Sequence, residues 1–394
     1  MTPISATRSC VVILAARDRP VTKARYGSAS GIRPGGELHD ASRHADACAT
    51  LLFIFREGSR LTSSMPSPDI VFDTLYGYQR SAALNSAIEI EVFTAIDEGV
   101  QTAPAIAKRC GASERGVRIL CDYLSVIGLL QKVGTTYRLV PESATFLSKR
   151  SPAYLGTTAR FLQRPELKRN FDNLTEAIRR GGVAPEGNTV ADENPIWVEF
   201  ARCMMPMMMP AAHGIADLLG IASLDSLKVL DVAAGHGLFG ITIARRNPRA
   251  EIVAVDWKQV LTVAEENARA AEVQGRYHTV PGDVFKVDVG TGYDVVLVTN
   301  FLHHFDQQTC TSFLQKMYAA LKTGGKIVVL EFVPNPDRVS PPIPAGFSLT
   351  MLAGTPSGEA YTFVELRQQL QDAGFRNVSA HHLPTPQTVL LAEK

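Results

Sequence analysis

Between residues 231 and 304 lie side chains whose types and spacing can do chemistry. Gly235-His236-Gly237-Leu238-Phe239-Gly240 spells G-x-G-x-x-G between an apolar run at 229–232 and a helical stretch, and Asp256 lies 21 residues beyond the first glycine. Glycines let the backbone approach a ligand closely, and a carboxylate at the next strand's end can accept two hydrogen bonds from ribose hydroxyls. A nucleotide-like ligand is therefore expected, held by Gly235, Gly237, Asp256 and the adjoining Trp257. Two further features bear on which ligand it is. Asp231, four residues before Gly235, is placed to face the crevice. Its charge is unwelcome beside a nicotinamide pyrophosphate, but favourable by roughly 1 to 3 kcal/mol, if hydrogen-bonded, beside an ammonium and a sulfonium. Gly282-Asp283-Val284-Phe285 then follows a further strand after Asp256, where Asp283 can take an adenine amino group and Phe285 can pack nearby. Both favour S-adenosylmethionine over NAD as cofactor. An Asp231 that only caps the loop is the alternative left open.

The elements that must position these residues are legible from periodicity. Apolar runs at 229–232, 252–255, 295–298 and 326–330 alternate with amphipathic stretches at 261–271 and 310–321, which predicts a parallel sheet covered by helices. Runs at 377–382 and 388–392 around Pro384 and Pro386 read as a terminal hairpin. Residues 66–150 are helical at first: Ile88, Val92, Phe93 and Ile96 share a face, and a second helix carries Ile106 and Ala107. Ser113 caps a third helix over 114–127, with Val117, Leu120, Cys121, Leu124 and Ile127 at apolar spacing, and Gly128 stops it. Leu129, Leu130, Val133, Tyr137, Leu139 and Val140 bracket Gly134 as a short hairpin. Three helices and a hairpin make the winged-helix order. Nine Lys/Arg against nine Asp/Glu over 66–150 leave no basic face for DNA, so a dimer interface is expected there.

Residues 151–222 read as a helical connector with a loop at Gly181-Gly182 and Pro185. Trp197, Phe200, Met204, Met205, Met207, Met208 and Met209 gather soft side chains suited to a flat organic substrate or to plain core, and Pro206 and Pro210 are expected to break any single helix. At 394 residues the chain has room for about 2.6 units of domain size. Lys+Arg 40 against Asp+Glu 39 supply no overall field for nucleic acid or an anionic membrane, and no stretch of 18 apolar residues can span a bilayer. The six cysteines are scattered without zinc-ligand spacing, which fits a reduced, cytoplasmic chain with no metal. Residues 1–64 lack periodicity and read as a disordered extension, or as an over-long start with Met65 the natural initiator.

The sequence resembles the S-adenosylmethionine-dependent O-methyltransferases of the plant caffeate and flavonoid type and their bacterial relatives. The resemblance covers about 66–394. It rests on Val229-Leu230-Asp231-Val232-Ala233-Ala234-Gly235-His236-Gly237, Gly282-Asp283-Val284-Phe285, Asn300-Phe301-Leu302-His303-His304-Phe305, Lys322-Thr323-Gly324-Gly325-Lys326 and Ala373-Gly374-Phe375. It implies an α/β fold: a Rossmann-like methyltransferase domain over 223–394, with a mostly parallel seven-stranded sheet and a C-terminal antiparallel hairpin. Before it come a winged-helix-like dimerisation domain over 65–150 and the connector and pocket segment, 151–222. It also implies a homodimer acting on a small-molecule acceptor, with Asn300 added to the cofactor residues.

Of the two histidines, the resemblance makes His303 the general base, because Cys310 follows it by seven residues; His304 is the rival. A neutral imidazole of pKa about 6.5 can take the proton of a phenol with pKa near 10 as the methyl transfers. Glu331, after the run 326–330, matches the acidic position that holds the imidazole. Glu359 is the nearest acid to a second such position, which the family's Gly-Gly-x-Glu-Arg-Thr pattern, anchored on Thr362, places at Ala360. Thr299 stands where plant members often carry a lysine near the cofactor carboxylate. Expected acceptor walls are Phe161, Trp197, Met204, Met208, Phe347 and Met351, each with core packing as its alternative. The expected reaction is O-methylation of a hydroxylated, aromatic acceptor, with N- or C-methylation and an NAD-dependent oxidoreductase as alternatives.

Overall fold

Alternation of side chains along seven strands builds the centre of the molecule. In the computed structural model, which describes residues 66–394, Val229, Ile252, Val295, Leu297, Val328 and Leu330 pack into one core. Their strand neighbours Leu230, Val232, Val255, Val296, Val298, Ile327 and Val329 pack into another on the opposite face. Both faces are covered by helices, which is why the runs are apolar throughout and show no polar-out alternation. The readings for residues 1–64 and Met65 lie outside the described residues.

After a two-stranded hairpin, β1 (Leu130–Val133) and β2 (Thr136–Leu139), the large sheet comprises β3 (Leu227–Val232), β4 (Ala250–Asp256), β5 (Tyr277–Pro281), β6 (Tyr293–Thr299), β7 (Leu321–Glu331), β8 (Arg376–His382) and β9 (Thr388–Glu393). Their order is β5-β4-β3-β6-β7-β9-β8. The first five are parallel, and β9 and β8 close the edge antiparallel, as expected. The chain reverses its direction of winding between β3 and β6, the place where open α/β sheets bind ligands beyond their strands' carboxyl ends.

The N-terminal helices keep their own core, with Val92, Phe93, Ile106, Val117, Cys121, Leu124, Leu130 and Tyr137 buried together. Ser113 caps the helix Glu114–Val126 by accepting from Gly116 N at 3.1 Å. Residues 74–394 form one compact unit. In the connector, Met204 separates the helices Ile196–Cys203 and Met205–Leu218. Pro210 does not break the second of these, contrary to expectation. Its ring lies on the exposed side, so the helix gives up one backbone bond without a buried clash, and Pro206 sits in the first turn, where no partner is lost. Among the described residues no helix is long and apolar enough to cross a membrane, and no group of three or more His, Cys, Asp or Glu side chains could hold a metal ion.

Candidate active site

β3 ends in a turn whose backbone takes left-handed conformations at Ala233, Gly235 and Gly237, with φ of 50°, 56° and 73°. A Cβ at Gly237 would lie 2.6 Å from the Tyr277 hydroxyl and 3.0 Å from Ala264, so the turn closes on β5 only with glycine there. Asp231 sits beneath this turn with no exposed surface. Its Oδ2 accepts from Gly240 N at 3.0 Å, in the first turn of the helix Leu238–Arg246, and its Oδ1 is buried with no hydrogen-bond partner. Burial pushes its carboxyl up to about 7. One oxygen thus caps the loop and the other is unspent, so Asp231 lies below the crevice floor and does not open onto it.

Asp256, at the end of β4, clamps the same turn from the side. Its Oδ2 accepts from Gly235 N at 2.8 Å and its Oδ1 from Trp257 N at 2.7 Å, and burial pushes it up to about 6. Both oxygens keep lone pairs for a ligand hydroxyl. Gly282 N donates to Asp256 O at 2.9 Å, which ties the following loop to this corner. Asp283 is held by Phe285 N at 2.9 Å and Lys286 Nζ at 2.9 Å; Val284 is buried. Phe285 remains 37% exposed while leaning on Phe301, Phe305 and Phe313 at centroid distances of 6.0, 5.1 and 5.5 Å. Buried His236 accepts from Leu238 N at 3.1 Å through Nδ1, and burial lowers its pKa to about 4, so it stiffens the turn as a neutral ring.

The second half of the site joins β6 to β7. Glu331, buried at the end of β7, accepts from Phe301 N at 3.0 Å and Leu302 N at 2.8 Å through Oε1, while its Oε2 meets His303 Nδ1. The carboxylate therefore fixes both the backbone that carries the histidine and the ring itself, leaving Nε2 for other chemistry. Cys310 Sγ lies 3.2 Å from Leu302 O and secures the same turn, and a Cβ at Gly358 would fall 2.3 Å from His303 O. His304 is its neighbour at 4.3 Å between centroids, with Nδ1 buried and unpartnered. Burial, and then His303, push its pKa well below the imidazole range. Glu359 is not brought to the imidazole: it is exposed and paired with Arg338, which also holds Glu365 at 2.6 Å.

Aromatic side chains flank the histidines. Phe347 meets His303 edge-on at 4.9 Å and stacks on Phe332 at 4.1 Å; Met351 is buried on the same helix, Pro342–Gly354. Trp197 meets His304 at 5.3 Å, and Phe200 links Trp197 to Phe161 at 5.6 and 5.5 Å. Met204 and Met208 are buried, and Met208 Sδ lies 3.6 Å from both Asn300 Nδ2 and Gln387 Nε2. Phe332 and Gln387 were not among the expected site residues. Phe332 is signalled by its place directly after Glu331, whereas nothing local marks Gln387.

A glycine turn at the switch point of a parallel sheet closed by an antiparallel hairpin, with an acid-held histidine one strand away, defines a Rossmann-like methyltransferase domain. Comparison with known proteins agrees. The O-methyltransferase domain family matches residues 201–376, and the O-methyltransferase dimerisation domain family matches 72–149. A crystal structure of a candidate O-methyltransferase from Nostoc punctiforme is 49% identical, with a TM-score of 0.80, over 84% of this chain and 100% of that one. The 3-hydroxy-5-methyl-1-naphthoate 3-O-methyltransferase of Streptomyces sahachiroi is 28% identical over 84% of this chain and 95% of its own. The 8-O-methyl transferase of tetracenomycin polyketide synthesis from Streptomyces glaucescens is 28% identical over 83% and 97%. The chain belongs to the S-adenosylmethionine-dependent O-methyltransferases.

Proposed function

We propose that the enzyme methylates a hydroxyl of a small aromatic acceptor, with His303 as general base and Glu331 as the group that orients it. The observation that carries this is the buried Glu331–His303 pair beside the glycine turn. The residues around the turn fit the cofactor: Gly235 leaves room for close approach, Gly237 lets the turn pack against β5, Asp256 and Asp283 offer acceptors to ribose and adenine, and Asp231 keeps a buried oxygen without a partner beneath them. Trp257, Gly282, Val284, Phe285 and Asn300 complete this set. Bound there, S-adenosylmethionine supplies an electrophilic methyl on a cationic sulfur. The protein's part is to align the acceptor and take its proton. His303 Nε2 accepts the hydroxyl proton while Glu331 balances the imidazolium through Nδ1. His304 cannot substitute, because its surroundings hold it neutral with little affinity for a proton. Walls of Phe347, Trp197, Phe161, Met204, Met208 and Met351 suit a flat ring and exclude water, which strengthens the attraction between phenolate and sulfonium. The naphthoate and polyketide relatives support an aromatic acceptor. We infer a homodimer from the dimerisation region, where Ile119, Val126 and Val133 are exposed.

A panel of phenolic, quinol and polyketide acceptors, read by release of S-adenosylhomocysteine and by product structure, tests the reading. Methyl ethers are expected. Carbon-methylated products would favour a second reading, which one relative motivates: an L-tyrosine C(3)-methyltransferase of Streptomyces lavendulae is 25% identical over 81% of this chain.

A further inference from the structure

Gln387 is 3% exposed, although it lies in the turn between β8 and β9. A buried primary amide carries two donors and an acceptor oxygen, and burying them costs free energy that an apolar side chain in the same place would not incur. Its Nε2 donates to Asn300 Oδ1 at 3.3 Å and to Met208 Sδ at 3.6 Å, and Asn300 Nδ2 donates to the same sulfur at 3.6 Å. The strand register explains the meeting. Thr388 pairs with Glu331, so Gln387 falls one residue past the sheet edge that carries the partner of His303, and Asn300 falls one residue past β6.

The two ends of an asparagine amide are chemically opposite, and a half-turn about the last side-chain bond exchanges them. A donor fixed on Oδ1 forbids that half-turn, and with one Nδ2 hydrogen given to Met208 Sδ it is the other Nδ2 hydrogen that is available to a ligand. The left-handed backbone at Asn300, φ 52°, and its N–H bond to Leu330 O at 2.8 Å hold the rest of the residue still. Resting on the reading that Asn300 belongs to the cofactor site, we propose that Gln387 is a positioning residue: it locks Asn300 with its amide nitrogen presented as a donor to an oxygen of S-adenosylmethionine.

Isothermal titration of the full chain with S-adenosylhomocysteine, which keeps every oxygen of the methyl donor, tests this. Gln387→Leu and Asn300→Ala are each expected to weaken binding about fivefold to tenfold, the value of one hydrogen bond. The double variant should bind no worse than Asn300→Ala, because Gln387 acts only through Asn300. Thermal unfolding in parallel separates packing from positioning: a glutamine that merely fills space would lower Tm and leave affinity alone. Should Gln387→Leu fail to fold, the isosteric Gln387→Glu replaces it. Its carboxylate accepts from Asn300 Nδ2, turns Oδ1 toward the ligand, and is expected to weaken binding by the same factor. Unchanged affinity in the Gln387 variants or in Asn300→Ala, or losses that add in the double variant, would overturn the assignment. A wild-type chain that does not bind S-adenosylhomocysteine would overturn the cofactor reading as well, so the two failures are told apart by the wild type alone.

Discussion

Glu331 accepts two backbone N–H groups on one oxygen and the His303 ring on the other, so a neutral amide cannot replace it without setting donor against donor. Glu331→Gln is expected to lower kcat by about 100-fold while leaving S-adenosylhomocysteine affinity within about twofold. Acceptor kinetics beside calorimetry check this; an unimpaired kcat would remove Glu331 from the mechanism. The pairing was legible only through the family resemblance, whose acidic position Glu331 matches. Its bonds to Phe301 and Leu302 were not, because they join positions 29 and 30 residues apart. Glu359 fails the same kind of reading for a physical reason: Arg338, brought up by the segment after β7, claims its carboxylate at the surface. For Asp231, position was legible and burial was not. It was expected to face the ligand directly, and the structure seats it one layer deeper, with one oxygen committed to Gly240.

At the scale of elements, the turn that carries His303 is held between Cys310, at its end of a helix, and the loop around Gly358. A methyl at Gly358 would come 2.3 Å from His303 O and 2.6 Å from Thr355 Oγ1, so neither backbone could stay in place. Gly358→Ala is expected to cost about 1 to 3 kcal/mol in denaturant unfolding and to lower kcat several-fold, by shifting the turn that carries His303. Unfolding and kinetics both unchanged would show that the loop does not brace the base. Strands and helices were readable here because the period of apolar residues is a local property. The hairpin around Gly134 and the cap at Ser113 fall where turn and cap chemistry put them. Pro210 stays inside its helix because exposure decides whether a proline breaks a helix, and exposure depends on packing that no local pattern reports.

For the molecule as a whole, the groups buried around the glycine turn and His303 make stability depend on pH in opposing ways. His236, lowered from 6.5 to about 4, and His304, also lowered, are neutral when folded. Their contribution is present above pH 6.5 and is lost as pH falls through the folded values. Asp231 and Asp256, raised from 3.8 to about 7 and about 6, act the other way: their contribution is present below pH 3.8 and is lost as pH rises through 6 and 7. Asp231→Asn removes one of these losses. Its Tm relative to wild type should therefore rise by about 2 to 4 °C between pH 5 and pH 8, and parallel Tm curves would refute a buried, costly carboxylate there. The parallel sheet, its terminal hairpin and the N-terminal helices were legible from periodicity, whereas no apolar run marks β5 and the count of seven strands came with the family resemblance. How 197, 208, 347 and 387 converge on residues 300–304 was not, since only the folded chain brings these distant segments together.

In the proposed reaction, catalysis at this crevice runs through His303, held by Glu331. Turnover of His303→Ala with an acceptor the wild type methylates, measured beside its affinity for S-adenosylhomocysteine, tests it most directly. The expected result is turnover lower by about 100-fold or more with affinity unchanged. A variant that methylates as fast as the wild type would contradict the account.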